Sequence, residues 1–434
     1  MKKNKFIISL FMGLALAACT IDEQVDPNQP SLAGIFENTS QQDLNLLVGG
    51  LEARARDGMG GFVIATGSIA RELYFFNSSD PTSTETLIGK NGVQLNGSEP
   101  QLTGTMFARY QAVKSAEFIL EAVENSQVSE AQKQGYRGVA NTFKGMVLLD
   151  VLSLLNSNGV RVDVRDPDNL GAFLGRAEGF QAIREFLDQG FNQLQGAEFA
   201  FQLSPGFDGF DTPGTFALFN RAVAAKVAIY QEDYAGALNL VNSSFLDLNG
   251  DLTTGPKRSY GVGGTEVLNP LFKAPQQSGD QFIVHNRFIT DIQAGDTRVS
   301  KFRLRNDPVA RDGLNGTHET ALFASSTSPI DHIRNEELIL IYAEASIQSG
   351  NLSDAEDALN IIRNAYSLPD YGGAQTVEAL TDEMLYNRSY SLWGEGHHMF
   401  DLRRYGRLND QFLPIDRTGD VIHTEFPIPL FENP

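Results

Sequence analysis

The stretch Leu338-Ile339-Leu340-Ile341-Tyr342-Ala343-Glu344-Ala345, broken by Gly350-Asn351 and resumed at Ala355, Ala358, Leu359 and Ile362, decides the fold. Leu338, Ile341, Tyr342 and Ala345 fall at the i, i+3, i+4, i+7 spacing of one helix face. Gly350-Asn351 supplies a tight turn, and an alanine near the start of the next stripe lets a second helix lie close to the first.

An earlier segment repeats the design. Val223, Val227 and Tyr230 lead through Gln231-Glu232-Asp233 into Tyr234, Ala237, Leu238 and Val241. Small residues at the contact, a short turn and an alanine in the second helix make both segments tetratricopeptide-like hairpins. Their uneven spacing argues against a regular solenoid. Further stripes occur at Leu44, Leu47, Val48, Leu51 and Ala55, at Ala112, Ala116, Ile119 and Val123, and at Phe180, Ile183, Leu187, Phe191 and Leu194. Ser129 with Gln132 predicts a capping box opening a helix that carries Val139, Phe143 and Val147. The expected class is mainly α: a tetratricopeptide-like helix-pair scaffold with long loop-rich insertions and a few short strands.

Glycine and proline concentrate in residues 75–105 and 245–332, where clusters such as Asn77-Ser78-Ser79-Asp80-Pro81 and Gly261-Val262-Gly263-Gly264 leave only short apolar runs. Loops of that length are uncommon without a function, and binding residues favour them. Gln281 to Phe288 is expected to contribute a short strand.

The N-terminus has a different composition. Lys2, Lys3 and Lys5 precede the apolar stretch Phe6 to Leu16, and Leu16-Ala17-Ala18 leads into Cys19, the one cysteine of the chain. A basic start, a short apolar core and small residues before a cut are the parts of a secretory signal. The ending resembles the lipobox of bacterial lipoproteins, in which the cysteine is acylated and becomes the mature N-terminus. Residues 1–18 are therefore expected to be the signal, 19–32 a polar lipidated tether, and 33–434 the folded domain. The pair Asp22-Glu23 resembles a signal for the cell exterior, and serves equally as two solvated charges on a linker. No other stretch is expected to span a bilayer, which takes about 20 apolar residues.

A formal charge of −20 repels phosphate backbones, which argues against nucleic acid as a partner. Hydrophobic residues at 41% and charged residues at 20% fit an ordinary globular chain. Motifs for chemistry are missing: no G-x-S-x-G, no phosphate-binding G-x-x-x-x-G-K-[ST], and no cysteine left for a Cys–His pair. Glu395 with His398, and His397 with Asp401, have a spacing that could hold a metal, but Gly394 and Gly396 interrupt a helix there, so helix-end hydrogen bonding is the favoured reading. Asp247-Leu248-Asn249-Gly250-Asp251 starts like a calcium loop and fails at Leu252 and Arg258. No metal or cofactor is expected.

With Ile333-Arg334-Asn335-Glu336-Glu337 before the 338–362 hairpin, and Leu392-Trp393-Gly394-Glu395-Gly396-His397 and Asp401-Leu402-Arg403-Arg404 after it, the C-terminal third resembles the SusD/RagB family of outer-membrane nutrient-binding lipoproteins. Ile333-Arg334-Asn335-Glu336-Glu337-Leu338 through Ala345 is similar to that family's R-x-x-E-L-x-L-x-x-A-E-A helix, and Ala358-Leu359-Asn360-Ile361-Ile362-Arg363 to its A-L-x-x-I-R segment. Leu392-Trp393-Gly394-Glu395-Gly396-His397, Asp401-Leu402-Arg403-Arg404 and Phe426-Pro427-Ile428-Pro429 complete the match. Asn387-Arg388-Ser389-Tyr390-Ser391 departs from the family's more charged run, and His398-Met399 replaces its usual Arg and aromatic. The resemblance implies a structural role for this block, with Trp393 in the core. It also implies a non-catalytic, cell-surface lipoprotein of the outer membrane that captures oligosaccharide, or another nutrient oligomer such as peptide, for a TonB-dependent outer-membrane transporter. An exported glycan-processing enzyme and a protein–protein scaffold are the alternatives. Under that resemblance the expected ligand-binding residues are Arg71, Tyr74, Phe75 and Phe76 beside the first insertion, and Tyr260, Phe282, His285 and Arg287 in the second.

Replacing the anchor residue tests the N-terminal reading. Cys19→Ala is expected to leave the protein unprocessed or released from membranes, as followed by fractionation and mass spectrometry. A variant that still matures and sediments with the outer membrane refutes it.

Overall fold

The computed structural model describes residues 38–166, 168–263 and 266–432. Cys19, the signal-like segment and the tether lie outside the described residues. Ser40 starts helix α1 (Gln41–Arg56) with a capping box: its Oγ accepts from the Asp43 N–H at 3.2 Å, and its own N–H donates to the Asp43 carboxylate at 3.0 Å. Leu44, Val48, Leu51 and Ala55 of the predicted stripe are buried, and Leu47 packs at its edge. Helices α2 (Met59–Ile69) and α3 (Pro100–Ala122) follow. The capping box at Ser129 and Gln132 opens α4 (Glu130–Leu155), with contacts of 3.0 and 3.2 Å.

Among the described residues, Glu130–Asn158 is long and apolar enough to cross a membrane, contrary to the expectation that no such stretch follows the N-terminus; 94% of its apolar window is buried inside the fold. The reason is position. α4 is a central helix, packed between α3 and α5 (Arg176–Leu194), and a core helix is apolar on every side. Each fully buried Leu or Phe of this kind stabilises the fold by about 1.5–3 kcal/mol.

Helix pairs then stack in succession. α5 packs on α6 (Pro213–Tyr230), α6 on α7 (Tyr234–Asn242), and α7 on the later helix α9 (Asn335–Gln348), beyond the short α8 (Arg287–Thr290). α9 also contacts α10 (Leu352–Ala365) and α11 (Val377–Ser391). It serves two cores: Leu338, Ile341 and Ala345 join the main one, while Ile339, Leu340, Ala343 and Ile347 join a second shared with α10 and α11. The expected tetratricopeptide-like pairing is present at both predicted hairpins.

The insertions are more ordered than loops. Strand β1 (Leu73–Phe76) opens the first, β2 (Val160–Arg161) and β3 (Phe173–Leu174) form a small pair elsewhere, and β4 (Lys257–Arg258), β5 (Gln281–Val284), β6 (Phe302–Arg311), β7 (Leu314–Thr320) and β8 (Ile330–Asp331) structure the second. An antiparallel sheet runs in the order β1-β5-β7-β6, and β4 pairs with β8. The stretch after β1 lies along the C-terminal tail: Val421 N–H donates to the Gly89 carbonyl and Leu430 N–H to the Gly97 carbonyl, each at 3.0 Å.

The C-terminal block is built on charge. α11 ends at Ser391, Gly394 and Gly396 take φ of +75° and +86°, and α12 (His398–Arg404) follows. Arg388 bonds Asp401 at 2.7 Å, Arg404 bonds Asp401 at 2.8 Å and also Glu344 of α9, and Arg334 bonds Glu336 at 2.8 Å and Glu395 at 2.6 Å. His397 and His398 are occupied by Tyr230 and Arg287. Trp393 is fully buried; its indole N–H donates to the Glu72 carbonyl at 3.3 Å, and Gly394 N–H donates to the Glu72 carboxylate at 2.9 Å.

Burial pushes the Glu72 carboxyl up to about 8, against the opposing hydrogen bond from Gly394. The folded chain therefore keeps a proton there that the unfolded chain loses near 4.5. Folding stability from this group is full below pH 4.5 and falls as pH rises toward 8, by up to about 1.4 kcal/mol per pH unit. Glu72→Gln should gain stability on the wild type steadily between pH 5 and pH 8 in denaturant melts. A difference that does not vary with pH contradicts a protonated Glu72.

Candidate ligand-binding groove

Two neighbouring depressions share a wall on one side of the fold. The first, of about 450 Å³, lies between the C-terminal half of α1 (Glu52, Arg56), the connection from α5 to α6 (Gln202 to Phe207) and the segment from β4 to Ser259, with Glu266 and His332 at its border. The second, of about 500 Å³, lies beyond the Pro205–Phe207 turn and includes Phe210, Thr253, Thr254, Tyr260, Thr327 and Pro329. Lys257 and Ser259 border both. Gly206 holds the dividing wall together: a Cβ there would meet the Lys257 carbonyl oxygen at 2.0 Å, so only glycine allows this approach of turn to strand.

The walls are polar and mostly paired. Arg56 donates to Glu266 and to the Ser259 carbonyl, each at 2.7 Å. Glu52 accepts from the Ser204 N–H at 3.1 and 3.2 Å, and burial lifts its carboxyl above the ordinary range in spite of those bonds. Lys257 pairs with Asp331 at 2.7 Å. His332 packs among Phe143, Phe207 and Phe219 with ring centroids 5.4–6.0 Å apart, and burial, with Arg258, Arg109 and Lys226 adding to it, keeps the imidazole neutral. Aromatic rings contribute little open surface, since Phe210 and Tyr260 are 7% and 8% exposed. The groove can hold a neutral or charged oligomer by hydrogen bonds more than by stacking.

Of the sequence-predicted residues, Tyr260 alone borders the groove. The others correct the expectation of a loop surface. Arg71, Tyr74 and His285 converge on Asp416 in the C-terminal tail: Arg71 Nε at 2.8 Å, Tyr74 hydroxyl at 2.8 Å and His285 Nε2 at 2.9 Å. Burial raises the Asp416 carboxyl, but the contacts of His285, Arg71 and Tyr74 hold it below the ordinary range. Phe75 faces Phe282 across the β1–β5 pair, ring centroids 5.2 Å apart, and Phe76 stacks on Tyr74. Arg287 donates to His398 at 2.6 Å. These aromatic rings lie in the core because all four residues of β1 are buried. The sequence reading missed Glu52, Arg56, Ser204, Gly206, Lys257, Arg258 and His332. A Pro205-Gly206 turn between two helix stripes and a Lys257-Arg258 pair in so acidic a chain were the available signals.

Comparison with known proteins agrees with this architecture. Residues 287–431 match the SusD family model, a span that includes the Arg334, Trp393 and Asp401 network. The fold is SusD-like. Surface glycan-binding protein A from Bacteroides thetaiotaomicron superposes with a TM-score of 0.70 at 14% identity, covering 92% of this chain and 97% of that one. The same protein in complex with laminarihexaose gives 0.69 at 14% identity, over 91% and 97% of the two chains. A SusD superfamily protein from Bacteroides vulgatus gives 0.65 at 17% identity, over 90% and 96%. No curated protein matches this chain in sequence.

In the SusD-like fold of this chain, Asp416 ties the tail to β1 and β5 as a structural residue. Asp416→Ala should cost on the order of 3–5 kcal/mol in denaturant melts, because it strands buried donors including Arg71. Tyr74→Phe should cost roughly 0.5–1.5 kcal/mol. Unchanged stability in both variants would return these side chains to the list of candidate ligand contacts.

Proposed function

We propose that this protein is a lipid-anchored, cell-surface component of the outer membrane that binds oligosaccharide without turnover and passes it to a TonB-dependent transporter. The observation that carries the reading is the shared fold with a surface glycan-binding protein whose structure contains laminarihexaose. Three features of this chain support it. The lipobox-like ending at Cys19 supplies an anchor, and acyl chains contribute about 0.8 kcal/mol per buried CH₂. Depressions of about 450 and 500 Å³ are the size of ordinary ligand sites, roughly 300–1,000 Å³. Their hydrogen-bonding groups (Glu52, Arg56, Ser204, Thr253, Lys257) suit the hydroxyls of a sugar chain, and the sequence carries no nucleophile motif. A tether beside a pore raises the local ligand concentration at its mouth.

Calorimetry on the purified chain against neutral and acidic oligosaccharides should give saturable binding, with the ligand recovered at full length. Mild-detergent purification of the tagged, lipidated protein should bring down a large β-barrel from the same membrane. Cleaved products from a homogeneous preparation would assign it to hydrolases instead. Binding to a protein partner with no oligomer bound at millimolar concentration would make it a scaffold.

A further inference from the structure

An internal cavity of about 30 Å³ adjoins the first depression, and Arg258 and His332 border both spaces. Its walls come from α2, α4, α6, α9, α12 and the β4–β8 pair. They carry four carboxylates, and each has a cation of its own: Asp150 with Arg109 at 2.9 Å, Asp331 with Lys257 at 2.7 Å, Glu337 with Lys226 at 3.1 Å and Glu395 with Arg334 at 2.6 Å. The acids thus leave no surplus negative charge to draw in a metal ion. Among the described residues no group of three His, Cys, Asp or Glu side chains is placed to hold one.

Three wall atoms are closed off from solvent and lack a hydrogen-bond partner in the protein: Arg258 Nε, His332 Nδ1 and Glu337 Oε1. Arg258 and Glu337 are only 8% and 2% exposed as whole residues, so bulk water does not serve them. Lys226 stands beside Glu337 Oε1 as a charge partner without the alignment of a hydrogen bond. The three orphans differ in kind. Arg258 Nε only donates, the Glu337 carboxylate only accepts, and a neutral His332 offers either a lone pair or an N–H at Nδ1. An anion would satisfy Arg258 and be repelled by Glu337, and a cation would do the reverse. An uncharged group that both donates and accepts satisfies all three. Each bond left unmade at such depth costs about 1–3 kcal/mol.

We infer that this cavity is an internal hydration site, in which one or two ordered waters bridge Arg258 of β4, His332 and Glu337 of α9, and so tie the floor of the groove to the first turn of α9. The volume agrees. Roughly 10–15 Å³ of such space holds one water, and a buried water makes about three hydrogen bonds. The site does not depend on the glycan reading, since the waters lie behind the groove wall and need no ligand.

A crystal structure of the purified chain, at a resolution that shows ordered water, provides the test. One or two peaks are expected in the cavity, within about 2.7–3.2 Å of Arg258 Nε and Glu337 Oε1. Soaks in bromide and in rubidium should leave them unchanged, with no anomalous scattering from either ion. Arg258→Met keeps an unbranched stem, removes the donor, and should lose the peak bonded to Nε. If that variant does not fold, His332→Phe takes its place: it keeps a ring among Phe143, Phe207 and Phe219, and should lose the peak bonded to Nδ1. Oxygen-17 relaxation dispersion in solution should then count one or two fewer long-lived waters in the variant than in the wild type. A cavity empty of density overturns the hydration site, as does a peak that misses Arg258 Nε or Glu337 Oε1. An anomalous bromide or rubidium peak makes it an ion site instead, and density or a water count unchanged in the variant also refutes it.

Discussion

Glu72 holds the two ends of the molecule in register. Its carbonyl receives the indole N–H of Trp393, 321 residues away in sequence, and its carboxyl receives the N–H of Gly394. Both groups lie in the core, where an unmade hydrogen bond costs about 1–3 kcal/mol, so the N-terminal helices and the C-terminal block must meet in one geometry. From that junction the charges radiate: Arg334 to Glu336 and Glu395, Arg388 and Arg404 to Asp401, Arg404 to Glu344 on α9. The helix pairs provide bulk burial. The ionic contacts select how those pairs are joined.

This division explains what could be read from the sequence. The stripe from Leu44 to Ala55 and the capping box at Ser129 and Gln132 are local patterns, complete within a few turns, and the structure reproduces them. Trp393 as a core residue was also legible, on the strength of its flanking motif. The aromatic cluster Tyr74-Phe75-Phe76 was misjudged because a strand buried on both faces shows no alternation. With turn-forming Asn77 to Pro81 directly after it, such a run has the look of a loop edge. The groove was the least legible feature. Glu52, Ser204, Arg258 and His332 come from four separate segments, and only the folded chain brings them to one depression.

Charges in the C-terminal block and around the groove are satisfied in two ways, by carboxylates and by backbone carbonyls. In the C-terminal block Arg334, Arg388 and Arg404 have carboxylate partners, while Arg403 is held by the carbonyls of Thr424 and Ser153. Around the depression Arg56 and Lys257 are paired with Glu266 and Asp331, yet among the described residues Arg258 bonds only a backbone carbonyl. Gly206 brings the Pro205–Phe207 turn against β4 and so fixes the strand from which Arg258 projects. The same few residues thus shape the wall and place the unpaired charge behind it.

The Asp416 contacts have a consequence for the order of folding. Tyr74 waits for a carboxylate 342 residues later in the chain, and β1 has no partner until β5 exists. Contacts of such sequence separation form late and slow the approach to the native state. As the polypeptide emerges from its N-terminus, α1 to α4 can coil early, but Arg71 and Glu72 stay uncovered until the final segment arrives. The nascent chain is therefore committed to a long interval with an exposed apolar strand, and its completion is timed by its last residues rather than its first.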